Sequence, residues 1–248
     1  MATRRAAKPV HARRVAQPTA TPDVATVLAS LKRAGTKKYR DGLARFGIAA
    51  PNAYGVSMGA IQQIAKATGR NHDLALALWD TGIYEARLLT SFVDEPARVT
   101  VAQMNRWCVE FDNWAVCDTL TFHLFDKTPH AFGRVEAWHM RREEFVKRAA
   151  FALLAAIALH DKAVTNATLL SSLPWCEAGA TDARNFVKKG VSWALRTIGV
   201  RNRELHDATI ALANRLAASA DPPSRWIGHD VLRDLKRPVV ARKLAKRD

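Results

Sequence analysis

The sequence predicts an all-α fold, laid out as a solenoid of stacked helix pairs. After Asp23, apolar residues recur at three- and four-residue steps, and the alternation of a half-buried strand is hard to find. Glycines and prolines punctuate the chain often enough to leave about a dozen short helices. One stretch also repeats. Phe145-Val146-Lys147-Arg148-Ala149 lines up with Phe186-Val187-Lys188-Lys189-Gly190 at an offset of 41 residues, and the apolar pattern continues through Leu154 and Leu195. A period of roughly 40–47 residues is that of HEAT or armadillo helix pairs, whose curved stacks grip extended ligands on a concave face. Many helices with short links also suit a bundle, and the repeat favours the solenoid.

Taken in order, the first helical segment runs from Asp23 to a break at Gly35, and the next ends at the Pro51–Gly55 stretch. Further breaks fall at Gly69–Asn71, Gly82, Pro96, Pro129, Pro174, Gly199 and the Pro222–Pro223 pair. Glycine takes up turn conformations that other residues resist, and proline removes a helical donor, so each site ends or starts a helix. If the 41-residue repeat is structural, Arg148 and Lys189 occupy equivalent positions on successive repeats and form a column of positive charge along one face.

At 248 residues the chain has ample length for a core. Its 38 Lys and Arg against 23 Asp and Glu give a net charge of +15, which points to a polyanionic partner. Nucleic acid comes first and an anionic membrane surface second. No apolar stretch reaches the length of a spanning helix, which excludes an integral membrane protein. Three cysteines without a CxxC pair rule out a fully paired disulfide framework and suit a reduced cytoplasmic compartment. Two tails hold most of the excess charge. Residues 1–22 carry Arg4, Arg5, Lys8, Arg13 and Arg14 and no acid, while 236–248 continue a second basic run that begins near Arg233. The expected organisation is a basic arm over 1–22, one domain over 23–235 and a basic tail over 236–248. The arm has no apolar h-region and is no secretory signal, although an organellar transit peptide shares its composition.

Metal chemistry has little support. HExxH is absent, and Glu136-x-x-His139 is a single ExxH where a di-iron bundle needs two. A phosphate-cradling glycine loop and a GxSxG elbow are absent as well. What remains is a set of aromatics, acids and bases. Trp114 and Asp118 stand four apart, one helical turn on a single face. Lys189, Trp193 and Arg196 also share a face, and a Trp flanked by cations is unlike a core stripe. The plainer reading has Trp114 in the core and Asp118 paired with an arginine.

Several strings in order carry a family resemblance. They are Tyr54-Gly55-Val56-Ser57, Leu78-Trp79-Asp80, Ile83-Tyr84-Glu85-Ala86-Arg87, the Trp114–Asp118 pair, Lys147-Arg148-Ala149, and Lys188-Lys189-Gly190-Val191-Ser192-Trp193-Ala194-Leu195-Arg196. Over about residues 25–235 the chain resembles the AlkD-type DNA alkylation repair family, HEAT-like repeat glycosylases that excise positively charged N-alkylated purines. The resemblance implies that Asp118 is the catalytic carboxylate, that Trp114 and Trp193 form an aromatic cradle, and that Arg148 belongs to the same cleft. Tyr84 stands where many members have His, and Thr128-Pro129-His130 has no counterpart. Neither departure touches the cleft residues. A subgroup of the family has lost the catalytic acid; this chain keeps it.

The expected function is therefore release of 3-methyladenine and 7-methylguanine from double-stranded DNA by a monofunctional glycosylase. Lys147, Arg148, Lys188, Lys189 and Arg196 would hold phosphates without reading sequence. No metal or nucleotide cofactor is expected, and the protein would act as a monomer in the nucleoid. The rivals are a non-catalytic DNA-binding solenoid and a HEAT-type protein-interaction scaffold.

Overall fold

The computed structural model describes residues 22–246; the expected N-terminal arm lies outside them except for Pro22. Described residues form fifteen α-helices and no strand. They are α1 (Val24–Ala34), α2 (Lys37–Gly42), α3 (Met58–Thr68), α4 (His72–Asp80), α5 (Tyr84–Val93), α6 (Val101–Val109), α7 (Trp114–His123) and α8 (Ala131–Trp138). There follow α9 (Glu144–His160), α10 (Asn166–Ser171), α11 (Leu173–Gly179), α12 (Asn185–Gly199), α13 (Arg203–Ala217), α14 (Pro222–Leu235) and α15 (Pro238–Leu244). Short 3-10 turns occupy Leu43–Phe46 and Phe125–Lys127.

The packing is a ladder. Helices α1, α3, α5, α7, α9, α12 and α14 each lie against the next in that order, with α4, α8, α11 and α13 packed behind. This is the expected solenoid of helix pairs. Polar residues set many of the starts: Asp23, Thr36, Ser57, Asn71, Thr100, Asn113, Thr165, Asn202 and Asp221 each accept from a backbone N–H in the first turn. Such a cap satisfies a donor that the helix cannot, worth ~1 kcal/mol each. The break expected at Pro174 falls between α10 and α11, with the proline in the first turn of α11, where its missing N–H costs nothing.

At the centre runs α9, buried from Arg148 through Ala158. Its six buried alanines let α7, α8 and α12 approach closely, while Phe151, Leu153, Leu154 and Ile157 fill the space between. Burying each large side chain contributes ~1.5–3 kcal/mol. The fit is tight. A Cβ on Gly179 would lie 2.4 Å from the Phe151 ring, so an alanine there forces the ring to move.

The sequence repeat is a structural one. Phe145 of α9 and Phe186 of α12 bring their rings to 5.4 Å, and Val146/Val187 and Leu154/Leu195 are all buried. The column of charge does not form as expected. Arg148 is only 6% exposed and turns onto Asp118, whereas Lys189 remains exposed to solvent. An acid on the neighbouring helix draws the first cation inward.

Three of the family-like strings prove to be scaffold. Glu85 is fully buried, and its carboxylate accepts the backbone N–H groups of Tyr54 (2.9 Å), Gly55 (2.6 Å) and Val56 (3.1 Å). Gly55 has φ +83°, and a Cβ there would meet the Thr36 carbonyl oxygen at 2.2 Å, so only glycine fits. Arg87 lies over the Trp79 ring at 4.7 Å and donates to Glu110, which also takes the Trp79 indole N–H.

Of residues 236–248, expected as a basic tail, the described part to 246 continues the fold instead, as α15. Val240 and Leu244 of α15 are 4% and 1% exposed, and their apolar surface docks the helix on the core. The basic residues of that stretch concealed two core positions at helical spacing.

Candidate active site and nucleic-acid cleft

Helix α7 begins at Asn113, whose buried side chain accepts the N–H of Val116 at 3.0 Å. That cap fixes Trp114 at the first helical position and Asp118 one turn on. The indole Nε1 of Trp114 donates to the Phe46 carbonyl at 2.8 Å, tying α7 to the 3-10 turn far upstream. Asp118 points toward α9 and meets Arg148 in a fork: Nε to Oδ1 is 2.8 Å and Nη2 to Oδ2 is 2.6 Å. The remaining donor of Arg148, Nη1, goes to the Phe186 carbonyl at 2.6 Å. A two-pronged arginine–carboxylate pair fixes both partners in orientation.

Burial pushes the Asp118 carboxyl above its ordinary range, against the pull of the Arg148 charge and its hydrogen bonds. The guanidinium favours the ionised form and so opposes that upward push. The Asp118 side chain retains 18% of its surface. Each oxygen uses one lone pair on Arg148 and has another to offer.

Asp118 and Arg148 stand where two hollows meet. The first, about 550 Å³, is walled by Arg45, Phe46, Trp114, Asn185, Phe186 and Lys189. The second, about 500 Å³, is walled by Lys189, Ser192, Trp193, Arg196, Trp226 and Asp230. Trp193 is braced from behind by Phe122, with the rings stacked at 5.1 Å. Trp114 thus lines the first hollow and Trp193 the second, with the acid common to both.

The five basic residues separate by state. Lys189 borders both hollows and has no ion pair among the described residues. Arg196 uses Nε alone, toward the Ser192 carbonyl at 3.4 Å and Asp230 at 3.8 Å, so its terminal nitrogens stay available. Lys188 places its ammonium 4.4 Å over the Trp226 ring. Lys147 is tied to Asp182 at 3.1 Å, and Arg148 is committed to Asp118. Asp182 is held well below the usual carboxylate range, by the Arg184 hydrogen bond first, against burial, with Lys147 adding to it.

Phe46, Phe186, Ser192, Trp226 and Asp230 were not expected at the site. A signal existed for the last pair: Trp226 and Asp230 repeat the Trp-x-x-x-Asp spacing of Trp114 and Asp118. Among the described residues no three His, Cys, Asp or Glu side chains cluster to hold a metal. Cys117, next to Asp118, is fully buried, and burial drives its thiol far above the range in which it would act as a nucleophile. No described helix is long and apolar enough to cross a membrane.

Comparison with solved structures defines the class. A protein from a family related to the HEAT-like repeat DNA glycosylases, with affinity for branched DNA structures, superposes with a TM-score of 0.73 at 19% identity, over 86% of this chain and 95% of its own. That likeness makes this chain an all-α HEAT-like repeat protein. A designed armadillo repeat protein also aligns, with a TM-score of 0.33 and 13% identity over 72% of this chain and 92% of its own. The family is then set by sequence: residues 27–221 match the DNA alkylation repair enzymes, and the chain belongs to that family. No curated protein sequence matches.

Proposed function

We propose that the protein is a monofunctional DNA glycosylase that excises positively charged N-alkylated purines, 3-methyladenine and 7-methylguanine, from duplex DNA. The observation that supports this reading best is the Asp118 carboxylate, held in a two-pronged pair by Arg148 and lining two open, indole-walled hollows.

An alkylated purine carries its own positive charge, so the glycosidic bond breaks without protonation of the base. The electron pair of the C1′–N bond leaves with the purine, which becomes neutral, and the sugar becomes an oxocarbenium ion. Ordinary glycoside hydrolysis needs two carboxyl groups around such a transition state, one of them an acid. Here one suffices. Asp118 faces the developing sugar cation, and its spare lone pairs orient a water whose oxygen bonds to C1′ and whose proton passes to the carboxylate and on to solvent. The products are free base and an abasic site. Trp114 and Trp193 attract the cationic lesion and sugar through their π faces, worth ~0.5–2 kcal/mol. Nothing in this step calls for a metal or nucleotide cofactor.

Lys189 and Arg196 supply phosphate contacts, with Lys188 beside them. Arg148 acts differently from a phosphate clamp, because all three of its nitrogens are engaged, two with Asp118 and one with the Phe186 carbonyl, and its charge is paired with the acid. Lys147 braces α9 against the turn before α12 through Asp182. The protein would work as a monomer on alkylated double-stranded DNA in the cytoplasm, associated with the nucleoid.

A second reading is a DNA-binding protein without catalysis. It is favoured by the solved neighbour, whose family has affinity for branched DNA. Purified protein incubated with methylated duplex separates the two. Release of 7-methylguanine and 3-methyladenine, with uracil and hypoxanthine left in place, is the expected outcome. Efficient uracil release would contradict the mechanism, and binding without any release would favour the second reading.

A further inference from the structure

Trp226 is among the few large apolar side chains left in the open, at 38% exposure. It lies on α14, beyond the last residue of the family match at 221. The excision chemistry makes no use of it. Its surroundings are ordered all the same. Lys188, which does not line the second hollow, sits over one face of the indole at 4.4 Å and holds the ring in place. One turn further along α14, Asp230 accepts the Ser192 hydroxyl at 2.6 Å, which ties α14 to α12, and pairs with Arg233 of its own helix. The ring is therefore a fixed wall of the second hollow, which Trp193 with its Phe122 backing also lines. The same hollow is lined by Lys189 and by Arg196, whose terminal nitrogens are uncommitted.

Paired DNA offers this arrangement little. The proposed excision from a duplex uses the cations and Trp193 but leaves the Trp226 face of this hollow without a partner. Aromatic faces interleaved with unpaired cations are the chemistry that binds unpaired nucleotides: bases stack on the rings, and the flanking phosphates meet the charges. We infer that the hollow lined by Trp193 and Trp226 is a subsite for an unpaired nucleotide beside duplex DNA, with the base stacked on Trp226 and its phosphate on Lys189 and Arg196. The protein would then prefer DNA carrying a single-stranded gap or flap to a continuous duplex. This rests on the cleft being the DNA-binding face and does not depend on excision.

The test is a pair of binding curves by fluorescence anisotropy at one salt concentration, on a continuous duplex and on the same duplex interrupted by a short gap. Wild-type protein should bind the gapped DNA about tenfold more tightly, and Trp226→Ala should bring that ratio close to one while Trp226→Phe keeps most of it. A wild-type ratio of one, or a preference that survives Trp226→Ala, overturns the inference. Should the alanine variant fail to fold, irradiating wild-type protein on a gap that contains iodouracil decides instead. A crosslink at Trp226 supports the subsite, and crosslinks confined to other residues remove it. Base release by the same preparation reports separately on the glycosylase reading. Gap preference without release keeps the subsite and discards the enzyme, and release without preference does the reverse.

Discussion

Asp118 and Arg148 form a nearly buried pair, and the two sides of that pair fail differently when broken. Removing the arginine leaves a carboxylate with no counter-charge in a poorly solvated place, so Arg148→Met should cost ~3–5 kcal/mol in urea unfolding, more than most single changes. Changing the acid to Asn keeps shape and some hydrogen bonding, so its penalty should appear mainly in chemistry. The pH dependence follows from the same burial. Asp118 sits above its ordinary value of 3.8, and the proposed step needs it ionised. The single-turnover rate should therefore fall as pH drops through that raised value, and an Asp118→Asn variant should lack this acid limb. Because the folded state takes up this proton more readily than the unfolded chain, acidification in that window does not destabilise the fold through Asp118. Rate should be lost while circular dichroism stays unchanged; an acid limb that follows unfolding would speak against the assignment. Trp193 offers a further check. It is half-buried on Phe122, so Trp193→Leu should lower excision of cationic lesions with only a modest loss of stability. A core role would show the opposite order, with ~3–5 kcal/mol lost on truncation to Ala.

Each helix was legible where its own residues dictate it, and illegible where a distant partner decides. The 41-residue repeat could be read because the Phe145 and Phe186 turns pack on each other in register. The equivalence of Arg148 and Lys189 could not, since only the fold sets Asp118 against the first of them. Trp114 and Asp118 were readable from spacing, but the tie from Trp114 to Phe46 spans 68 residues and leaves no local trace. The Tyr54–Ser57 and Glu85 strings were legible as a resemblance; their physical role is one carboxylate holding a loop. Glu85→Ala strips three backbone donors of a charged acceptor and should cost on the order of 3 kcal/mol or more by denaturant unfolding. At the other end, α15 buries Val240 and Leu244. Truncation after Leu235 should cost ~2–4 kcal/mol, judged by losses on deleting buried aliphatic side chains. A truncated protein as stable as the full chain would return that segment to the status of a tail.

Over the whole molecule, the ladder of α7, α9, α12 and α14 gathers side chains from distant parts of the sequence onto one face. Asp118, Arg148, Lys189, Trp193 and Trp226 meet there, each from its own rung or the next. That assembly explains why the site was partly legible. Pairs on one rung show a helical spacing, whereas contacts between rungs show none. Charge acts at this scale too. Residues 1–21 carry five cations and no acid, so their removal should weaken duplex binding and make its salt slope shallower, by ~0.9 for each phosphate no longer neutralised. Excision at saturating enzyme should hardly change. The most direct measurement compares wild type with Asp118→Asn in single-turnover release of 7-methylguanine from duplex DNA. Losing one preorganised charge opposite the sugar cation should slow release on the order of 10²–10³-fold, with duplex affinity kept. Release at the wild-type rate by the folded variant would contradict the role given to Asp118.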